Sequence, residues 1–395
     1  MIIKQHSAVD EISDSIVNCM KPLLYVEYCF GLFRYRLNKR SSDSIDLRMK
    51  IISVAITAIW IITFFCVLTH DHKDLANAFI LADYTVSLLI MAAYASSTLI
   101  VVLWQTQYNR KLIEMFASID ISLHANIDRN VYKMSFRQCK ILFTIYLIFC
   151  SICIATFVYL SKNRFSFAYL LFNFIYFERK IELFVFCQFL YMLKQRLLLI
   201  KNYLSKFTDD PNYEMFRQNN VQSLNIDFIG KISNTNNRLR DLARVYCKVG
   251  KTFILINKIY NYIIVMTLAT AFIFILVISW TILYSHKFNA NFIRSLSMLY
   301  YLFTEIISII FLTYYCEHII IAKEKTILLI NTLVMDYDLP KGMRMQAKVF
   351  METLKVWPLR VFVYDMFCID FQSIFKIISV CASYLIVVIQ VTHFL

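Results

Sequence analysis

The chain has 395 residues, of which 59% are hydrophobic, 16% aromatic and only 17% charged, and its mean hydropathy is +0.58. Soluble domains run at about 45–50% apolar and about 25% charged, so a water-soluble globule is excluded and an all-α, polytopic membrane protein is expected. The net charge of +14 does not mark a nucleic-acid binder, because the basic residues sort by membrane side instead of gathering in one patch.

Met1–Asp46 is mixed polar, without the charged-then-apolar order of a leader, and 1–50 is expected to be a cytoplasmic N-terminal segment. Within it, Leu23–Leu37 (LLYVEYCFGLFRYRL) reads either as a helix on the inner membrane surface or as a packed cytoplasmic helix. Apolar runs long enough to cross about 30 Å of hydrocarbon follow. They are placed at 51–69, 79–103, 141–160, 167–190, 252–284, 292–316 and 374–394. With only 4 Gly and 4 Pro in the chain, near-continuous helices are the expected form.

Between the spans, Lys and Arg number seven before the first, six in 104–140, eleven in 191–251 and seven in 317–372. Against these 31, the intervening loops 70–78, 161–166 and 285–291 together hold 4. Basic residues collect on the cytoplasmic side, so the expected topology is seven helices with the N-terminus inside and the C-terminus outside. The eleven cysteines fall in spans or inner segments, which implies no extracellular disulfide framework.

Of the inner segments 104–140 and 191–251, the first carries apolar and charged residues at helical spacing. The second divides into Tyr191–Phe207, a polar stretch Thr208–Asn225, and a basic helix from about Ile226. Pro340 and Pro358 bracket a helix-like Lys341–Trp357 within 317–372. The domains expected are therefore 1–50, spans one to six with their inner extensions (51–316), a cytoplasmic anchor segment (317–372) and a last helix (373–395).

That last helix places Ser379, Ser383, Val387 and Gln390 on one face, with Lys376 at its inner end. Hydroxyls, an amide and an aliphatic ring suit a wetted pore; the same small and polar residues also suit packing within one subunit. Candidates for a small-molecule pocket lie in the outer halves of the other spans: Asp83 and Tyr84, then Tyr169, Asn173 and Tyr176, then Trp280, and finally Ser297, Tyr300, Tyr301 and Glu305. With 25 Tyr and 34 Phe in the chain, packing competes with ligand contact at each aromatic. Glu305, near mid-bilayer, calls for a partner or water. Glu178, Arg179, Lys180 and Glu182 read as a structural ion-pair cluster.

His70-Asp71-His72-Lys73-Asp74 offers metal-ligand types in a short loop, and Asp128-Arg129-Asn130 lies in a polar loop; neither is read as a site. No phosphate-cradling glycine loop or nucleophile–base set is legible, so no enzyme, cofactor or metal is expected.

Ser383-Tyr384, five aliphatics and Gln390-Val391 resemble the tail of the insect gustatory receptor family, with Ser for Thr and Val for Phe. Upstream, Phe362, Met366-Phe367 and Ile369-Asp370 are similar to the family's block before the last span, with Asp365 where glycine is common. Phe30-Gly31-Leu32-Phe33 and Ile256-Asn257 are weaker matches. The resemblance implies a ligand-gated, non-selective cation channel passing Na, K and Ca. It further implies a plasma-membrane homotetramer, open to co-assembly with other receptors, with a cytoplasmic anchor and a pore lined by the last helix. It places the gate at Val387, Gln390 and Val391. Leu385, where the sugar branch carries glutamate, points to a bitter or plant-metabolite tastant over a sugar. A metabotropic seven-helix receptor would need the opposite orientation, and a secondary transporter would need broken helices.

Overall fold

The computed structural model describes residues 2–35, 46–71, 77–124, 129–160, 167–207, 233–287 and 292–391. Ten helices form these segments: α1 (Ile2–Cys29), α2 (Leu47–Asp71), α3 (Asn77–Leu99), α4 (Thr106–Ser122), α5 (Arg129–Leu160), α6 (Phe167–Ser205), α7 (Arg238–Lys287), α8 (Phe292–Met335), α9 (Lys341–Val356) and α10 (Phe371–Val391). A π-helical turn, Ile100–Trp104, continues α3, and a two-stranded hairpin, β1 (Phe362–Val363) and β2 (Phe367–Cys368), precedes α10.

Among the described residues, six helices are long and apolar enough to cross a membrane, and α10 adds the apolar run Phe371–Val387. At 1.5 Å per residue the 21 residues of α10 reach about 31 Å, the thickness of the hydrocarbon layer. The expected seven spans are thus seven helices here. Three of them are far longer than a bilayer. The 50, 44 and 39 residues of α7, α8 and α6 correspond to about 75, 66 and 58 Å. Their surplus lies at the end that carries the basic segments, where α1, α4 and α9 pack against them.

The centre of the bundle is α6, which packs on α1, α2, α3, α5, α7 and α8. Its most apolar stretch is 72% buried, against 17% for α2, whose Ile51, Ile59 and Ile62 remain exposed. The described part of that segment, 23–35, is packed, not laid on a surface. Helix α1 starts well before it and ends at Cys29; Gly31 turns the chain at φ +81°, and Leu32 and Arg34 go inward. Arg129, expected in a loop, is the first residue of α5. The polar stretch 208–225, the expected helix start near Ile226, and residues 72–76 and 125–128 lie outside the described residues.

Buried cations at the bundle's axis meet carboxylates. Arg34 donates to both Glu27 oxygens (2.9 and 3.1 Å) and to Glu182 (3.1 Å), and lies over the Tyr260 ring. Toward the basic end, Arg196 grips Asp120 through two bonds (2.9 and 2.7 Å) while Tyr132 donates to the same carboxylate at 2.7 Å. These bonds tie α6 to the turn after α1, and α4 to both α5 and α6.

Candidate functional site

Two helices that run in the same direction bring residues at equal offsets to equal depth. α6 begins at Phe167 and α8 at Phe292. Tyr176 and Tyr301 lie about nine residues in, and Lys180 and Glu305 about thirteen, so the two pairs sit about 14 and 20 Å along their helices. Both pairs are in contact. The tyrosine rings meet edge-on at 5.4 Å, and the Lys180 ammonium donates to Glu305 at 2.8 Å. Lys180 also lies over the Tyr176 ring at 4.9 Å.

Around this ladder the aromatic cluster closes. Phe274 of α7 packs on Tyr176 (5.7 Å) and Tyr301 (6.1 Å). The Tyr301 hydroxyl donates to Asn173 at 2.7 Å. Tyr300 stacks on Phe149 of α5 at 5.3 Å and donates to its carbonyl. Five of the ten residues expected to line a pocket, Asn173, Tyr176, Tyr300, Tyr301 and Glu305, therefore converge on one place. Trp280 is a half-buried residue farther along α7. Asp83, Tyr84, Tyr169 and Ser297 belong to helices, but their side chains lie outside the described ones.

The cluster read from 178–182 divides between two destinations. Lys180 leaves it for Glu305, and Glu182 leaves it for Arg34. Lys180 was missed as a site residue because its partner is 125 positions away; the matching offset of 180 and 305 in two parallel spans was the available signal. Glu178, fully buried, has no hydrogen-bond partner for either carboxylate oxygen among the described residues.

On its other side, α7 meets α10. Phe272, two residues from Phe274 and so about 200° around the helix, packs edge-on against Tyr384 at 5.7 Å. Lower on α7, one turn apart, Asn257 donates to the Phe362 carbonyl (2.9 Å) and Asn261 accepts from the Tyr364 amide (3.1 Å). These bonds hold the hairpin. Its turn has Tyr364 at φ +46° and Asp365 at φ +59°, the left-handed pair of a type I′ turn. Glycine is the natural occupant of such a position, and aspartate is one of the better substitutes. Directly after the hairpin, Asp370 caps α10: its carboxylate accepts from the Ser373 amide at 2.9 Å, while the Ser373 hydroxyl accepts from the Asp370 amide at 3.2 Å.

Helix α10 lies on α7 and α8 through a face that buries Ser373 and Cys381. Ser379, Ser383, Val387 and Gln390 fall on the opposite face and are exposed, as is Lys376. The side chain of Val391 lies outside the described ones.

The family model described as "7tm Chemosensory receptor" matches residues 20–392. Among curated proteins, none matches the chain in sequence. Among solved structures, the insect olfactory receptor OR5 from Machilis hrabei superposes with a TM-score of 0.65 at 14% identity, over 94% of this chain and 97% of that one. The same receptor in complex with eugenol gives 0.58 at 12% identity, over 95% and 98%. A fold shared end to end and a family model covering nearly the whole sequence agree: this chain belongs to the 7tm chemosensory receptor family of multi-pass membrane proteins.

Proposed function

We propose that the chain is a gustatory receptor subunit: a tastant-gated, non-selective cation channel of the plasma membrane, four copies of which surround a pore lined by α10. The observation that carries this reading is the position of α7. One of its faces, through Phe274, forms a wall of the Asn173–Tyr176–Tyr301 cluster, and the opposite face, through Phe272, rests on α10. A small molecule that parts the α6 and α8 tyrosines displaces Phe274. A stiff helix passes that displacement to Tyr384 and, through Asn257 and Asn261, to the hairpin from which α10 starts. The solved eugenol complex of a receptor with this fold supports a small organic ligand.

Chemistry within the cluster supports the same role. Aromatic walls with a hydroxyl, an amide and an ion pair at the floor suit an apolar ligand bearing one or two hydrogen-bonding groups. Together with Leu385 after the tail tyrosine, this favours a bitter or plant-derived compound over a polyhydroxylated sugar. The exposed Ser379–Ser383–Val387–Gln390 face is the pore surface in this reading, with the gate at Val387, Gln390 and Val391. The basic end, with its 31 Lys and Arg against 4, faces the cytoplasm and anchors the assembly.

Gln390→Ala is expected to alter ion selectivity or the activation curve while surface expression stays unchanged; unchanged conductance and activation would remove Gln390 from the pore. Glu305→Gln is expected to shift ligand sensitivity more than maximal current. The reverse pattern would assign Glu305 to gating or folding.

A further inference from the structure

Every buried cation described above, Arg34, Lys180 and Arg196, has a carboxylate in contact. One group of basic side chains breaks that pattern. Just beyond the expected spans of α6 and α8, at the basic end, three basic side chains lie on facing stretches of the two helices. Phe184 and Phe311 meet at 5.1 Å, and Lys194 lies about 15 Å farther along α6, between His318 and Lys325 at about 10 and 21 Å farther along α8. His318 and Lys325 are seven residues apart and share one face of α8 across two turns. Lys194 and His318 are half-buried, and Lys325 is exposed. Tyr314, one turn before His318 and 46% exposed, meets its imidazole edge-on with ring centres 4.1 Å apart.

Burial, followed by the nearby Lys325, holds Lys194 below the usual lysine range. Burial, then Lys194 and Lys325, lowers His318 as well. No carboxylate offsets either shift. On the same stretch of α8, Glu317 acts on Cys316 and Cys368, and Glu324 acts on Lys323. Among the described residues, none of the three basic groups is in an ion pair.

Like charges held together and partly stripped of water are costly unless an opposite charge arrives. By the expected spans 167–190 and 292–316 the place falls just past the inner ends of the membrane-crossing stretches, half-open, with two flexible ammonium groups and an imidazole. We infer that Lys194, His318 and Lys325 form a binding site for a multiply phosphorylated headgroup, taken from a lipid of that leaflet or from solution. Two ammonium groups can each meet a different phosphate, which a singly charged headgroup cannot satisfy. Because the site bridges α6 and α8, the helices that carry the tyrosine ladder, its occupant would resist their separation.

The experiment measures binding to purified full-length receptor by microscale thermophoresis. The probes are dioctanoyl phosphatidylinositol 4,5-bisphosphate, free inositol 1,4,5-trisphosphate and dioctanoyl phosphatidylcholine. The phosphorylated lipid is expected to bind saturably, more weakly as salt rises, and at least tenfold more weakly to Lys194→Gln/Lys325→Gln. Lys194→Arg/Lys325→Arg, which keeps both charges, should retain binding, as should the remote control Lys355→Gln. Equal competition by the free trisphosphate identifies a soluble anion as a ligand; binding of the lipid alone identifies a lipid site. Saturable binding of neither, or binding that the Gln pair leaves unchanged, overturns the inference. If the Gln pair fails to fold, a wild-type affinity for the phosphorylated probes that is insensitive to salt overturns it equally.

Discussion

Replacing Lys180 by methionine would leave the Glu305 carboxylate, 4% exposed, among aromatic rings near mid-bilayer. Removing one half of a buried pair costs about 3–5 kcal/mol, because the remaining charge keeps its desolvation penalty. Unfolding entropy of about 2.1 cal/mol/K per residue gives ~0.8 kcal/mol/K for a chain of this length, hence a fall in Tm of about 4–6 °C. Helices that persist in the unfolded membrane state reduce that entropy, so the figure is a lower bound. The exposed pair Lys355–Glu352 has the same 2.8 Å separation but 64% and 69% exposure. Lys355→Ala should therefore cost about 0–1 kcal/mol and move Tm by roughly 1 °C or less. Lys180→Met/Glu305→Leu should recover most of what Lys180→Met loses, since no orphan charge remains. Thermal unfolding of the tagged, purified receptor followed by size-exclusion chromatography reads all four proteins. A Lys180→Met receptor as stable as the Lys355→Ala control, or a double variant no better than the single one, would refute the reasoning.

Substitutions at four further positions test separate parts of the fold by the same assay. Glu178→Met removes a buried carboxylate whose oxygens have no hydrogen-bond partner among the described residues, and should raise stability by about 1–3 kcal/mol. Asp120→Ala strands Arg196 between α4 and α6 and should cost about 3–5 kcal/mol. At Gly250 an added Cβ would sit 2.5 Å from the Trp357 ring, so Gly250→Ala should cost about 1–3 kcal/mol by forcing α7 from the α9–hairpin connection. Asp365→Val places a β-branched residue at φ +59° and should destabilise by about 1–2 kcal/mol, with Asp365→Gly tolerated; a tolerated valine would contradict the type I′ turn.

How much of this was legible in the sequence depends on how local the signal is. Span positions and the sorting of charge are local in composition, and the helices fall where those signals place them. The hairpin left a trace in Asp365 standing where glycine is common, although only the backbone shows why glycine suits that place. Ion-pair partners were not local. The spacing of Glu178, Arg179, Lys180 and Glu182 suggests pairs along one helix. The packed bundle instead sends Lys180 across to α8 and Glu182 to Arg34, 148 residues away. A helix surrounded on all sides satisfies its charges with neighbours, and sequence spacing within that helix carries no information about them. Likewise Leu23–Leu37 shows its apolar and basic character plainly, but the turn at Gly31 that buries Arg34 depends on the α6 carboxylate waiting for it.

The central claim is that this chain opens a cation pathway along the exposed face of α10 when a small molecule enters the α6–α8 cluster. The most direct measurement records currents from the chain expressed alone in cells without native chemoreceptors. A panel of plant phenolics, alkaloids and sugars would be applied to the wild type and to Ser383→Cys. The account predicts ligand-evoked cation currents in both, and irreversible block of Ser383→Cys alone by a cationic methanethiosulfonate applied while the channel is open. A receptor that reaches the cell surface yet passes no ligand-evoked current, or a Ser383→Cys current that the reagent leaves untouched, would contradict it.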